Sequence, residues 1–432
     1  MKLVSVIKKG QFIFIFSFVC LILAGFLLLA SPLVSHNGSR VEWLDALFTA
    51  TSAVCVTGLT TITISGFNWF GQAVIIALMQ LGGLGVMSLS AFIVILLGRK
   101  LTYSSTLILS NSTDNFTFRN MEELIKMIAW YTFLIEGTGM VLLFIGFAGF
   151  ENMDIWKALY YSLFHAVSSF CNAGLSLYDD SLVGRCSYIK VVVAGLISLG
   201  GLGIYAIYDI FNHRSGRRYM VHTKLVLVAS FILVVAGMAA LKYCQSESPI
   251  SWVDAFFMSV TARTAGFNSV PMDILTPSSV SILIVLMLIG ACPGSTGGGI
   301  KVTAVALAFM AVINTIKGNE RLVLFHREIP VSNIMKAFTM IIIYIVLTIV
   351  GAVLLSALLW EENEKTLFET ASAIGTVGLS LGFSMEAGTL ERLLLILYMF
   401  LGRVGPFTIF LFLLGREKRS NLKYPEERII VG

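Results

Sequence analysis

The chain has 432 residues, 57% of them hydrophobic and only 13% charged, with a net charge of +5. A water-soluble domain this apolar would expose large sticky patches, so the composition excludes one and places the chain in a bilayer. Its six cysteines, Cys20, Cys55, Cys171, Cys186, Cys244 and Cys292, have neither zinc-site spacing nor the pattern of a disulfide framework.

In chain order, Phe12–Ala30 is the first apolar run long enough to span. It follows Lys8-Lys9, as a signal peptide core would, but it has no clear small-residue cleavage site, and the repeat described below uses it as its first helix. The short apolar segment Leu44–Val54 comes next, then a second span, Gly71–Leu97. The same order recurs as Met127–Gly149, Trp156–Phe170 and Ile189–Phe211, and again as Val221–Leu241, Trp252–Ala262 and Val280–Ile316. It closes with Ala337–Leu359, Leu367–Ile374 and Leu393–Leu414. The longer runs, eight in all, are near or above roughly 20 residues, whereas the four between them are too short to cross and read as buried or re-entrant. The sequence contains no soluble domain, long linker or low-complexity tract.

Lysine and arginine gather on one side of this topology. They lie at Lys2 to Lys9, Arg99 to Lys126, Arg214 to Lys224, Lys317 to Lys336, and Arg416 to Arg428. The opposite side carries acids such as Glu42, Asp45, Asp179, Asp180 and Glu364. The positive-inside rule then puts both termini in the cytoplasm of a cell membrane. The net positive charge follows from that topology and gives no reason to expect nucleic acid.

The four short segments align on one glycine each: "LFTATSAVCVTGLTT", "LFHAVSSFCNAGLSL", "AFFMSVTARTAGFNS" and "LFETASAIGTVGLSL". The glycines are Gly58, Gly174, Gly266 and Gly378, and a phenylalanine precedes each by ten residues. Such a repeat decides the fold class: an all-α, multi-pass membrane protein of four parallel units, each a span, a re-entrant pore helix and a span, around a central pore. The units cover 1–100, 101–213, 214–318 and 319–432, the last including a cytoplasmic tail. A dehydrated monovalent cation needs oxygens in place of its water, and four loops of backbone carbonyls form such a ring. Glycine permits the backbone angles that turn carbonyls inward. The C-terminal end of each short helix adds partial negative charge there. Asp45 and Asp254, near the outer helix starts, are expected to act as N-caps.

"VTGL", "NAGL", "RTAGF" and "TVGL" together resemble the filters of the Trk/Ktr/HKT potassium transporter superfamily. The resemblance covers nearly the whole chain and is closest to the Ktr membrane subunit. It implies ion coordination at Val56, Thr57 and Gly58; Asn172, Ala173 and Gly174; Thr264, Ala265 and Gly266; and Thr376, Val377 and Gly378. It implies potassium uptake without covalent chemistry, with sodium dependence left open and a sodium-conducting relative as the near alternative. Some sodium-preferring plant relatives have serine in the first loop, where this chain has Gly58. The resemblance further implies a homodimer and an octameric cytoplasmic ring of the RCK/KTN type, on which ATP favours activity and ADP the closed state. An organic-substrate secondary transporter would require inverted repeats, and an enzyme would require convergent catalytic residues; the sequence has neither.

"CPGSTGGGIK" at 292–301 looks at first like a phosphate-binding loop, but Ile300 separates Gly299 from Lys301, and the flanks are membrane spans. Aligned by repeat, it interrupts the third unit's second span below the filter. It is expected to be an intramembrane gating loop over 290–301, with Gly290, Pro293, Gly294, Ser295, Thr296, Gly297, Gly298, Gly299 and Lys301 as gate residues. Lys301 serves either at that gate or by reaching toward the cytoplasm. Arg403, costly within a membrane, is placed by the resemblance in the pore below the filter as an electrostatic barrier; a packing role beside a carboxylate is the alternative. Arg263 is expected to turn away from the pore and prop its loop, with Glu136 as a candidate partner. His165 reads as a packing or hydrogen-bonding residue. "LGGLG" at Leu81–Gly85 and Leu199–Gly203 reads as a site of close helix contact and does not fit a dinucleotide fingerprint.

Overall fold

A computed structural model describes residues 2–35, 40–85, 121–211, 213, 218–246, 248–319, 321–359 and 363–414. The predicted segment 86–97 of the second span, the basic cluster at Arg99 to Arg119, and the tail from 415 lie outside these residues. The described part is mostly helical, with one small hairpin of Val323–Leu324 and Arg327–Glu328.

The first unit is α1 (Lys2–Leu29), α2 (Trp43–Cys55) and α3 (Trp69–Leu84). The second is α4 (Met121–Phe144), continued by a π-helical turn over Ile145–Phe150, then α5 (Ile155–Phe170), α6 (Ser187–Gly201) and α7 (Ile204–Phe211). The third is α8 (Val221–Cys244), α9 (Trp252–Thr261), α10 (Pro277–Leu288) and α11 (Val302–Ile316). The fourth is α12 (Val331–Leu359), α13 (Asn363–Gly375), the single turn α14 (Phe383–Glu386), α15 (Thr389–Val404) and α16 (Pro406–Leu414). Among the described residues, three helices are long and apolar enough to cross a membrane unbroken: 126–150, α8 and most of α12.

The predicted second spans are broken where they are described. Helices α6 and α7 meet at 93°. The second spans of the second and fourth units break at Gly203 and Gly405 (φ 82° and 87°), and the described helix of the first ends at Gly85 (φ 76°), all in a conformation that L side chains rarely adopt. In the third unit the single expected span over Val280–Ile316 becomes α10 and α11, separated by a loop that also contains a positive-φ glycine, Gly294.

Packing follows one rule around the molecule. Each short helix lies on the long helix before it: α2 on α1, α5 on α4, α9 on α8 and α13 on α12. Each also packs against the second helix of the preceding unit: α5 on α3, α9 on α6, α13 on α10, and α2 on α15. The last pairing joins the fourth unit back to the first and closes the ring. The short helices form its centre, with Phe48, Phe164, Phe257 and Phe368 fully buried. Large apolar side chains such as Leu27, Phe133, Phe231, Ile232 and Val353 are exposed on the long helices outside. In a membrane that surface meets lipid at no cost.

Candidate functional site

All four short helices end in the same backbone form. The residue two before each repeat glycine is left-handed: Val56 at φ 55°, Asn172 at 60°, Thr264 at 74° and Thr376 at 50°. The glycines follow at φ 95°, 66°, 83° and 99°. The next N–H then bonds back to the helix end: Thr57 N to Ser52 O and Val377 N to Ser372 O at 2.8 Å, and Ala173 N to Ser168 O at 2.7 Å. Gly58 N and Gly378 N also donate to the hydroxyls of Ser52 and Ser372, both at 3.0 Å. The third loop has Val260 at that place and uses Thr261 O instead.

These loops meet at the centre of the molecule. A Cβ added to Gly174 would overlap Ala265 O and the Gly266 Cα. One on Gly266 would overlap Val377 O, and one on Gly378 would overlap Thr57 O. On Gly58 it would sit 2.6 Å from Ala173 O. The order 58, 174, 266, 378 returns to its start, so the four glycines and the carbonyls of Thr57, Ala173, Ala265 and Val377 form a closed ring. On one side of it lies a cavity of ≈ 160 Å³, lined by all four glycines and by polar groups including Thr60, Ser176, Asp179, Asn268 and Ser380.

On the other side lies the stretch 290–301. Its base is pinned by a bridge between Ile289 and Ile300, with Gly290 N donating to Ile300 O at 2.9 Å. Gly297 and Gly298 pass so close to the side chains of Thr264 and Thr376 that neither position has room for a Cβ. Thr296 Oγ1 donates to Phe170 O at 3.1 Å, and Gly294 O accepts from Ile204 N at 3.0 Å. Pro293, Gly294 and Ser295 are the more exposed tip, while Gly290, Thr296, Gly297, Gly298 and Gly299 are buried. Lys301 folds back, its Nζ donating to Gly297 O at 2.9 Å. Arg403 donates to the carbonyls of Thr296, Gly82 and Gly83 and so ties α15 to the loop and to α3. No described carboxylate pairs with it.

Several expectations need correction. Asp45 and Asp254 are not the N-caps of their helices. Ser251 caps α9, and the two carboxylates pair with the second helix of the preceding unit: Asp45 with Arg392 at 2.7 Å and Asp254 with Lys190 at 2.6 Å. Asp154 is the true cap of α5, accepting from Trp156 N and Lys157 N. Arg263 does turn away from the ring, but toward Ser230, whose backbone oxygen and hydroxyl lie 3.4 and 3.3 Å from it, and not toward Glu136. Glu136 accepts from Gln80 Nε2 at 3.2 Å instead. The close helix contact assigned to "LGGLG" is present, because Gly82 and Gly200 press on Val54 O and Phe170 O. Glu369, Arg392 and Lys190 carry contacts that no motif announced; the only sequence signal was their charge within apolar surroundings.

The TrkH family, described as cation transport protein, matches residues 26–238 and 220–421. The chain is 35% identical to "Ktr system potassium uptake protein B" of Vibrio alginolyticus, covering 97% of this chain and 94% of that one. It is 34% identical to "Potassium/sodium uptake protein NtpJ" of Enterococcus hirae, covering 99% and 97%. Among solved structures, the potassium transporter TrkH of Vibrio parahaemolyticus superposes with a TM-score of 0.73 over 94% of this chain and 85% of that one, at 19% identity.

Proposed function

The chain belongs to the TrkH family of cation transport proteins, and from that premise we propose that it takes up potassium across the cell membrane through one pathway per chain. Four parallel span–pore helix–span units surround the pathway. The carbonyls beside Gly58, Gly174, Gly266 and Gly378 replace the hydration shell of K⁺ at its narrowest level. The C-terminal ends of the four short helices favour a cation there. Asp179, lining the cavity on the outer side of the ring, raises the local cation concentration. The ion then moves down its electrochemical gradient with no covalent step. The observation that carries this reading is the closed contact of four equivalent glycine loops.

Beneath the ring, loop 290–301 is the gate, and Arg403 supplies a positive barrier beside it. A homodimer with both termini in the cytoplasm fits the family. So does a cytoplasmic nucleotide-binding ring of the RCK/KTN type, its ATP and ADP bound on that partner and acting on the gate. The test is growth of a potassium-uptake-deficient bacterium at low potassium, with and without such a regulatory subunit. Rescue is expected, and failure under both conditions rejects the reading. Sodium is the second reading, because the name of the Enterococcus relative includes it; sodium uptake in the same cells separates the two.

A further inference from the structure

Behind two of the four loops lies a contact that ion coordination itself does not require. Nine residues before each ring glycine stand Thr49, His165, Phe257 and Glu369, all fully buried. Two residues beyond each glycine stand Thr60, Ser176, Asn268 and Ser380. In the second and fourth units these positions meet. Ser176 Oγ lies 3.1 Å from His165 Nε2, and Ser380 Oγ donates to Glu369 Oε1 at 3.1 Å. Each serine also fastens its own turn, accepting from Tyr178 N at 3.0 Å and from Gly382 N at 3.1 Å. His165 is held from behind, its Nδ1 2.8 Å from Tyr161 O. A carbonyl only accepts, so Nδ1 is the donor, and Nε2 is left to accept from the serine, whose hydroxyl lies closer to it at 3.1 Å than to Ser181 O at 3.5 Å. Glu369 receives a second hydroxyl, from Ser384, while its Oε2 has no partner among the described residues. The first and third units lack the contact. Among the described residues Thr49 Oγ1 has no partner, the Phe257 side chain has no polar atom, and Asn268 N bonds to Ser181 Oγ instead. The ring order puts the second and fourth loops at opposite corners.

We propose that His165 and Glu369 are positioning residues for cation selection, holding the outer ends of two opposed filter loops and so fixing the width of the ring. Discrimination between K⁺ and Na⁺ depends on how far coordinating carbonyls resist moving inward. Each loop here has a single ring glycine and few bonds beyond it. A buried acceptor that grips the serine past the glycine braces the loop from behind, at low dielectric, where a satisfied hydrogen bond is strong. The proposal rests on the reading of the chain as a potassium pathway.

The test is K⁺ and Na⁺ uptake by the full chain in the potassium-uptake-deficient bacterium. Glu369→Ala and Ser380→Ala are each expected to lower the K⁺/Na⁺ uptake ratio by roughly three- to tenfold, the loss of about one hydrogen bond. His165→Ala and Ser176→Ala should act likewise. Glu369→Gln, which keeps the acceptor, should restore the ratio, and the Glu369→Ala/Ser380→Ala double variant should be no worse than either single one. Ser380 is only half-buried, so Ser380→Ala remains informative if Glu369→Ala fails to fold. An unchanged ratio in both serine variants overturns the proposal, whatever happens to total flux. Wild-type protein that moves no potassium overturns the transport reading itself, which is a separate result.

Discussion

At the scale of residues, the four ring glycines are equivalent in sequence but not in crowding. A Cβ at Gly58 would sit 2.6 Å from Ala173 O, while the other three would come closer to their neighbouring carbonyls. All four have positive φ, which adds about 1 kcal/mol or more of strain for any L side chain. Gly58→Ser is therefore expected to be the mildest change, retaining flux but lowering the K⁺/Na⁺ ratio. Alanine at Gly174, Gly266 or Gly378 should abolish most uptake. Ion flux measured at equal protein abundance checks the order; an unchanged ratio and unchanged flux for Gly58→Ser would count against the filter. The glycine pattern was legible because four aligned copies expose it. The carbonyl that each glycine meets belongs to another unit, so no local pattern could announce it.

At the scale of elements, two features were hidden for the same reason. Asp45 and Asp254 look like helix-start acids, but their partners Arg392 and Lys190 lie on other units, 347 residues away in the case of Asp45. Asp45→Asn leaves Arg392 short of its carboxylate at a site only 12–17% exposed. The cost should exceed the ~1 kcal/mol of an exposed pair and approach ~3 kcal/mol. Thermal unfolding in detergent should register it as a lowered midpoint, and an unchanged midpoint would show the pair to be inert. The loop proposed as the gate is the other feature. Its position was legible from the repeat alignment, but the grip of Arg403 on Thr296, Gly82 and Gly83 was not. Shortening Gly290–Gly299 should raise potassium flux and weaken nucleotide control; lost flux in a folded protein would argue against a gate. Arg403→Ala should move flux in the same direction, because it removes both the positive charge and the tie between loop, α3 and α15.

At the scale of the whole molecule, the surface is arranged for a bilayer. Trp43, Trp69, Trp156 and Trp252 stand at or near the starts of α2, α3, α5 and α9 and are all exposed, as an interfacial aromatic belt requires. With Trp130 and Trp360 replaced by Phe, the remaining fluorescence should be quenched more by lipids brominated near the headgroup than by lipids brominated at the chain end. The reverse order would place this ring of indoles at the wrong depth. The same scale explains the ring closure, since α15 must return to α2 for the fourth glycine to meet the first.

The sequence alone determined that the chain is a membrane protein, that it carries four glycine-centred segments, and that a glycine-rich break interrupts the third unit. Hydropathy, charge asymmetry and repetition are carried by residues near one another in the chain, so they survive without coordinates. Only the tertiary structure decided which carbonyl faces which glycine, which cation pairs with which short-helix acid, and which two loops have a serine bonded to a buried side chain behind them. Those contacts join residues from 11 to 347 positions apart in sequence, and most of them cross from one unit to another. They are set by how buried polar groups find partners where no water can serve them.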